Sequence, residues 1–308
     1  MKKVLASLAD SWGRFWFSPV SLLNLAAFRI VLLSTFFFLY LNRQFDLQLF
    51  YSENGMLPKK LALAVIPEFY RAPFLLALWP DEMLSWVHGL YVGLLLLWAL
   101  GLSFRPLAIL TWLLHIAFLQ RNYSVAFGAD LIGGIFMFYL AFTQSCARLS
   151  LRSIVFKNLR LLPKVESDIF TSMFYRIIQI QLCVIYGYTG FEKLKGSTWW
   201  DGTALWNIFA NSQMVIADFS WMKHFPIAIA VLSFSSVLFE IYFPVLVWFK
   251  GTRRSILIFG FAFHLGIGML MALHSFSLVM LAPYLLFLNE DQVRNVLRLK
   301  KISGLFLN

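Results

Sequence analysis

Apolar runs too long and too uncharged for a water-soluble core dominate this chain. From Ser21 to Leu41 the only charged side chain is Arg29, and from Met83 to Leu102 there is none. A helix needs about 20 apolar residues to cross a bilayer, whose hydrocarbon interior is ~30 Å thick. Composition agrees: 60% of residues are hydrophobic and 13% charged, against roughly a quarter charged in soluble domains. The mean hydropathy is +0.74. Continuous runs of this kind exclude a β-barrel, whose strands alternate apolar and polar positions over ~10 residues. The predicted fold class is therefore all-α, a polytopic transmembrane helical bundle of about eight spans plus short interfacial helices. No internal repeat is evident, and residues 1–308 are expected to form a single domain.

The spans are expected at roughly 21–41, 83–102, 106–119, 130–146, 174–194, 225–249, 256–271 and 276–288. Residues 10–17 are short, aromatic and basic, as in a helix lying at the interface. Residues 61–66 and 74–79 are apolar, short and proline-broken, and are expected to be surface or re-entrant helices. The net charge of +11 does not point to nucleic acid, because the basic residues sit between the apolar runs. That distribution fits the positive-inside rule and anionic lipid headgroups. With the N-terminus inside, seventeen Lys/Arg fall on the inner side and eight on the outer, with Arg29 within the first span. Both termini are thus expected in the cytoplasm, and Lys193 on the outer face. Residues 42–45 make no small-residue cleavage site, so the first run is expected to be a retained span. Cys146 and Cys183 lack metal-ligand spacing and are expected to be unpaired.

The fifth span carries an organised polar side. Gln179, Tyr186 and Lys193 are spaced by seven and stack on one helix face. Gln181, Tyr188 and Lys195 form an adjacent stripe, with Glu192 near it. Such stripes are costly against lipid, so this one is expected to face the bundle interior or a cavity. Lys193 lies 17 residues beyond Arg176, about 25 Å along a helix, which places it near the outer interface. Two explanations stand at this point: a lysine that snorkels to headgroups, or a desolvated amine acting as a base. An acid paired with that amine would favour its charged form and oppose base chemistry.

The run Tyr188-Thr189-Gly190-Phe191-Glu192-Lys193-Leu194, followed by Trp199, resembles the catalytic-lysine segment of vitamin K-dependent gamma-carboxylases. Those enzymes carry an HTTM (horizontally transferred transmembrane) domain. In that pattern a Tyr-x-Gly-x-Lys-Lys-Leu run precedes a tryptophan, and the second lysine is the base. Further likenesses follow in order. Leu25-Ala26-Ala27-Phe28-Arg29 is similar to the family's first span, and Leu97-Trp98-Ala99-Leu100-Gly101 with Arg105 to its second and third. Phe263-His264, and Phe276-Ser277 through Pro283-Tyr284, resemble its last two spans.

The resemblance implies a single HTTM-like transmembrane domain in a multi-pass protein of the bacterial inner membrane. It implies Lys193 as general base in an outward-facing pocket and reduced vitamin K or menaquinol as cofactor. The sequence itself has no HxxxH or HxxE pattern, so no metal is expected. In the carboxylase the lysine deprotonates reduced vitamin K, oxygen adds, and the strong base so formed takes a proton from a glutamate carbon, which captures carbon dioxide. Two departures stand out. The family's lysine pair is Glu192-Lys193 here, and the histidine near the start of the fourth span is replaced by Ala129, beside Asp130. The chain also ends soon after the last span, where the carboxylase continues into a large luminal region. Another bacterial member helps mature a secreted peptide toxin, so a secreted peptide is a further expected partner.

Other residues carry two explanations each. Arg29 needs a partner within the membrane. It is expected either to form an internal ion pair with Asp130, Glu240 or Glu192, or to bind a quinone or headgroup. Asp130 at the start of the fourth span either caps a helix or belongs to a site. His264 is either a hydrogen-bonded core residue or one half of a polar pair with Glu240. Trp199 and its neighbouring tryptophans form either an interfacial belt or a stacking wall for an aromatic ring. Tyr186, Tyr188, Glu192, Trp199, Asp130, Arg29 and His264 are the candidate substrate-binding residues around Lys193.

Overall fold

A computed structural model of the chain describes residues 2–66, 68, 71–72, 79–151 and 167–297. Residues 74–78 of the short segment expected at 74–79, residues 152–166 of the inner basic loop and the last eleven residues lie outside them. Among the described residues the regular structure is entirely helical. The helices are α1 (Lys2–Phe17), α2 (Leu22–Arg43), α3 (Leu47–Tyr51), α4 (Lys59–Val65), α5 (Leu84–Ala99), α6 (Arg105–Arg121), α7 (Gly128–Ala141) and α8 (Ile169–Lys193). They continue as α9 (Ser197–Trp200), α10 (Ala204–Phe209), α11 (Pro226–Leu246), α12 (Lys250–Leu270), α13 (His274–Leu281) and α14 (Glu290–Val296), with short 3-10 turns between some of them.

Their limits follow local chemistry. Ser21 caps α2, its hydroxyl oxygen accepting from the amide of Asn24. Prolines open α6 and α11, where a missing N–H costs nothing. Asp130 caps α7 by accepting from the amide of Phe127, so capping is one role the acid does fill.

Each expected span corresponds to a helix. Five segments are long and apolar enough to cross a membrane: Leu22–Tyr51, Asp81–Ala99, Ile169–Lys193, Pro226–Leu246 and Lys250–Leu270. Helices α6 and α7 are 17 and 14 residues long, and α13 has eight before it tightens into a 3-10 turn at Ala282–Phe287. At 1.5 Å per residue these fall short of a ~30 Å core. The chain is thus a multi-pass helical membrane protein.

The chain divides into two compact units, residues 1–176 with 288–308, and residues 177–287. In the first, α2 packs on α5 and α6 on α7, around buried Phe28, Phe36, Tyr40, Tyr91, Trp98, Phe118 and Phe136. In the second, α11 packs on α12 and α10, and α12 on α13. Tyr186, Phe239, Phe243 and Tyr284 fill its centre.

Candidate functional site: a lysine–glutamate pair among aromatic rings

The heptad face of α8 points into the second unit. Gln179 is buried and donates to the carbonyl of Leu286 at 2.8 Å. One heptad on, Tyr186 is buried, its hydroxyl 2.6 Å from His264 Nε2 and 2.7 Å from the Tyr284 hydroxyl. Phe239 and Phe243 flank its ring. The next heptad position is Lys193, the last residue of α8. Its Nζ donates to Glu240 Oε1 on α11 at 2.5 Å. The Lys193 side chain is 22% exposed and that of Glu240 6%. The ammonium also lies 5.0 Å from the centroid of the Trp199 ring and 5.9 Å from that of Phe263, within cation–π range.

Two features of the sequence set this geometry. Gly190 lets α11 come close: a Cβ there would lie 2.9 Å from Ile241 Cγ1 and 3.1 Å from Glu240 Cβ. This is the close helix packing expected of a small residue in a membrane helix. Pro244 lies four residues after Glu240, inside α11. It has no N–H to give the Glu240 carbonyl, so one rung of the helix is missing at that turn.

Two buried polar atoms here have no partner, Glu240 Oε2 and His264 Nδ1. The Tyr284 hydroxyl, in turn, fits because position 260 is glycine: a Cβ there would lie 2.0 Å from it.

The other sequence candidates are placed as follows. Tyr188 is 66% exposed and does not join the amine. Glu192 pairs with Lys195 at 2.6 Å instead of with Lys193. That hydrogen bond, with the charge behind it, raises the Lys195 ammonium above the ordinary lysine value. Trp200 is exposed and donates to the carbonyl of Leu194. Asp201 accepts from the amide and hydroxyl of Thr203 just before α10, which hold its carboxyl below the usual range. His264 is buried and bonds Tyr186, the first of the two readings offered for it, and does not pair with Glu240.

Arg29 and Asp130 belong to the first unit, and the ion pair expected for Arg29 is not formed. Arg29 is fully buried and donates to the carbonyls of Ser145, Arg148 and Leu149. A guanidinium has five donors and no acceptor, so a cluster of turn carbonyls can satisfy it in place of an acid. Asp130 pairs with Arg43, at 2.8 Å and 3.0 Å through its two oxygens. Arg43 is the last residue of α2 and buried. Sequence reasoning also missed Glu240 as the partner of Lys193. The available signal was that Glu240 is the sole charge in the run from Phe225 to Phe249.

A family model described as the HTTM domain matches residues 61–292, which include Lys193, Trp199, Glu240, His264 and Tyr284. No curated protein and no solved structure matches the chain.

Proposed function

The chain belongs to the HTTM-domain family, and from that premise we propose that it is a membrane enzyme with Lys193 as general base on a quinol-like substrate. The family is linked to vitamin K-dependent carboxylase-type membrane proteins. The observation that carries the proposal is the setting of the amine: a lysine at the end of an apolar helix, facing inward, between a buried carboxylate and two aromatic rings. Intramembrane ionisable groups cost folding energy and by default mark function. Paired with Glu240 at 2.5 Å the amine is held in its charged form, so base chemistry requires that its extra proton first pass to Glu240 Oε1. The Trp199 and Phe263 rings would then flank a flat ring brought to the amine.

The proposal includes an N-in, C-in orientation in a bacterial inner membrane, with the lysine opening outward, and reduced vitamin K or menaquinol as the reductant. A secreted peptide is the second substrate proposed. Ala129, at the place of the carboxylase histidine, is fully buried and offers no polar group there, so carbon dioxide capture is not part of the proposal.

The test is binding of reduced vitamin K and of menaquinol to the detergent-solubilised protein, wild type against Lys193→Ala. Saturable binding that the variant loses while still unfolding cooperatively is the expected result. Absence of binding by either protein would remove the quinol step. The partial exposure of Lys193 also fits a non-enzymatic scaffold or lipid-binding protein, in which the lysine anchors at headgroups. In that case Lys193→Arg is silent, because arginine anchors equally well and cannot serve as a base.

A further inference from the structure

Buried polar atoms in folded proteins have hydrogen-bond partners, and each exception needs an explanation. In the second unit the exceptions are Glu240 Oε2 and His264 Nδ1. The side chains around them are otherwise engaged, and the Thr189 hydroxyl, which lies beside the carboxylate, donates to the carbonyls of Ile185 and Tyr186. Glu240 gives its other oxygen to Lys193, and His264 gives its other nitrogen to Tyr186. Phe263, which faces the Lys193 ammonium, packs its ring 5.2 Å from that of His264. The unused carboxylate oxygen is thus in the same side-chain cluster as the amine and the two rings.

A carboxylate oxygen can only accept. A ligand carbonyl or ether oxygen placed against it would leave both atoms without a donor. A ligand hydroxyl would satisfy it, in a charge-assisted bond stronger than a neutral one. Resting on the assignment of Lys193 as the centre of a ligand site, we propose that Glu240 is the specificity-determining residue. It accepts a hydrogen bond at Oε2 from a hydroxyl on the ring of the substrate, so that the site takes the hydroxylated ring and rejects the carbonyl and ether forms of the same ring.

The experiment measures equilibrium binding, by competition and by tryptophan fluorescence, of three rings of one shape to the full-length protein in detergent. The rings are 1,4-dihydroxynaphthalene under anaerobic conditions, 1,4-naphthoquinone and 1,4-dimethoxynaphthalene. Wild type is expected to prefer the diol by ~10–100-fold, the range of one hydrogen bond to a charged group. Glu240→Gln presents an amide that donates as well as accepts, and is expected to bring diol and quinone within ~3-fold of each other. Glu240→Asp keeps an acceptor-only group and is expected to keep the order of preference with weaker binding. Thermal unfolding of each variant checks its fold. Equal binding of all three rings by wild type, or a diol preference that survives Glu240→Gln, overturns the role of Glu240 and leaves the ligand site standing. Failure of every ring to bind folded wild type overturns the ring-ligand function and this inference together.

Discussion

Arg43–Asp130 in the first unit and Lys193–Glu240 in the second are both acid–base pairs between apolar helices, and they are completed differently. Asp130 is fully buried, and each of its oxygens has two donors. Oδ1 accepts from Arg43 Nη1 and the Tyr40 hydroxyl, and Oδ2 from Arg43 Nη2 and the Phe127 amide. The guanidinium also lies over the Tyr40 ring and reaches the Val125 carbonyl. Glu240 accepts from Lys193 on one oxygen, has the Thr189 hydroxyl beside its carboxylate, and has no hydrogen-bond partner at Oε2, and Lys193 is partly exposed. The first pair uses its charges to fix where α2 ends and α7 begins. The second leaves hydrogen-bonding capacity unspent at one carboxylate oxygen. Completeness, more than charge or depth, separates structural pairs from candidate sites here.

That contrast has measurable consequences. Asp130→Asn strands a buried guanidinium, so it is expected to cost about 3 kcal/mol or more, read as thermal unfolding in detergent. A loss no larger than that of Glu240→Gln would erase the distinction between the pairs. Gly190→Ala forces a methyl against Ile241 and the Glu240 stem. We expect a loss of ~1–3 kcal/mol together with weaker ligand binding, whereas unchanged binding would show that the Lys193–Glu240 spacing is not critical. Glu240→Gln leaves an ammonium that can turn to the outside, and is expected to cost ~1 kcal/mol or less in stability.

The smallest effect is expected at a third pair, Arg105–Asp168, which sits at the surface of the first unit at 2.5 Å. Burial pushes the Asp168 carboxyl up, but bonds from Thr171 and Arg105 outweigh it and hold the group below the usual carboxylate range. A group lowered in the folded state stabilises above its unfolded value, ~4, and that contribution fades as pH falls through the folded value. With about a third of the side chain exposed, the contribution is a few tenths of a kcal/mol. The gap in unfolding temperature between wild type and Asp168→Asn is expected to hold from pH 7 to about pH 4 and to close below it. A gap that widens on acidification would show the sign to be wrong.

Helix positions were legible in the sequence because apolar runs and their charged borders are local properties. Lys193 was legible for the same reason: three polar residues at heptad spacing declare one face of one helix. Their inward direction follows from the cost of turning them to lipid. Glu240 was not legible as its partner, because a pair 47 residues apart in sequence depends on how two helices are rotated about their axes. Sequence supplied three possible acids for Arg29 and no way to choose among them; the choice made by the fold, turn carbonyls, carries no sequence signal at all.

Pro244 leaves the Glu240 carbonyl without its rung. Proline positions are where helices bend, and a bend at that turn breaks no hydrogen bond from residue 244. The carboxylate is therefore carried by a turn that lacks one rung, while Gly190 lets the same turn pack closely against α8. Motion of the second half of α11 would swing about the acid and leave the lysine fixed at the end of its own helix. The Lys193–Glu240 contact thus sits at the pivot, where such a swing displaces it least.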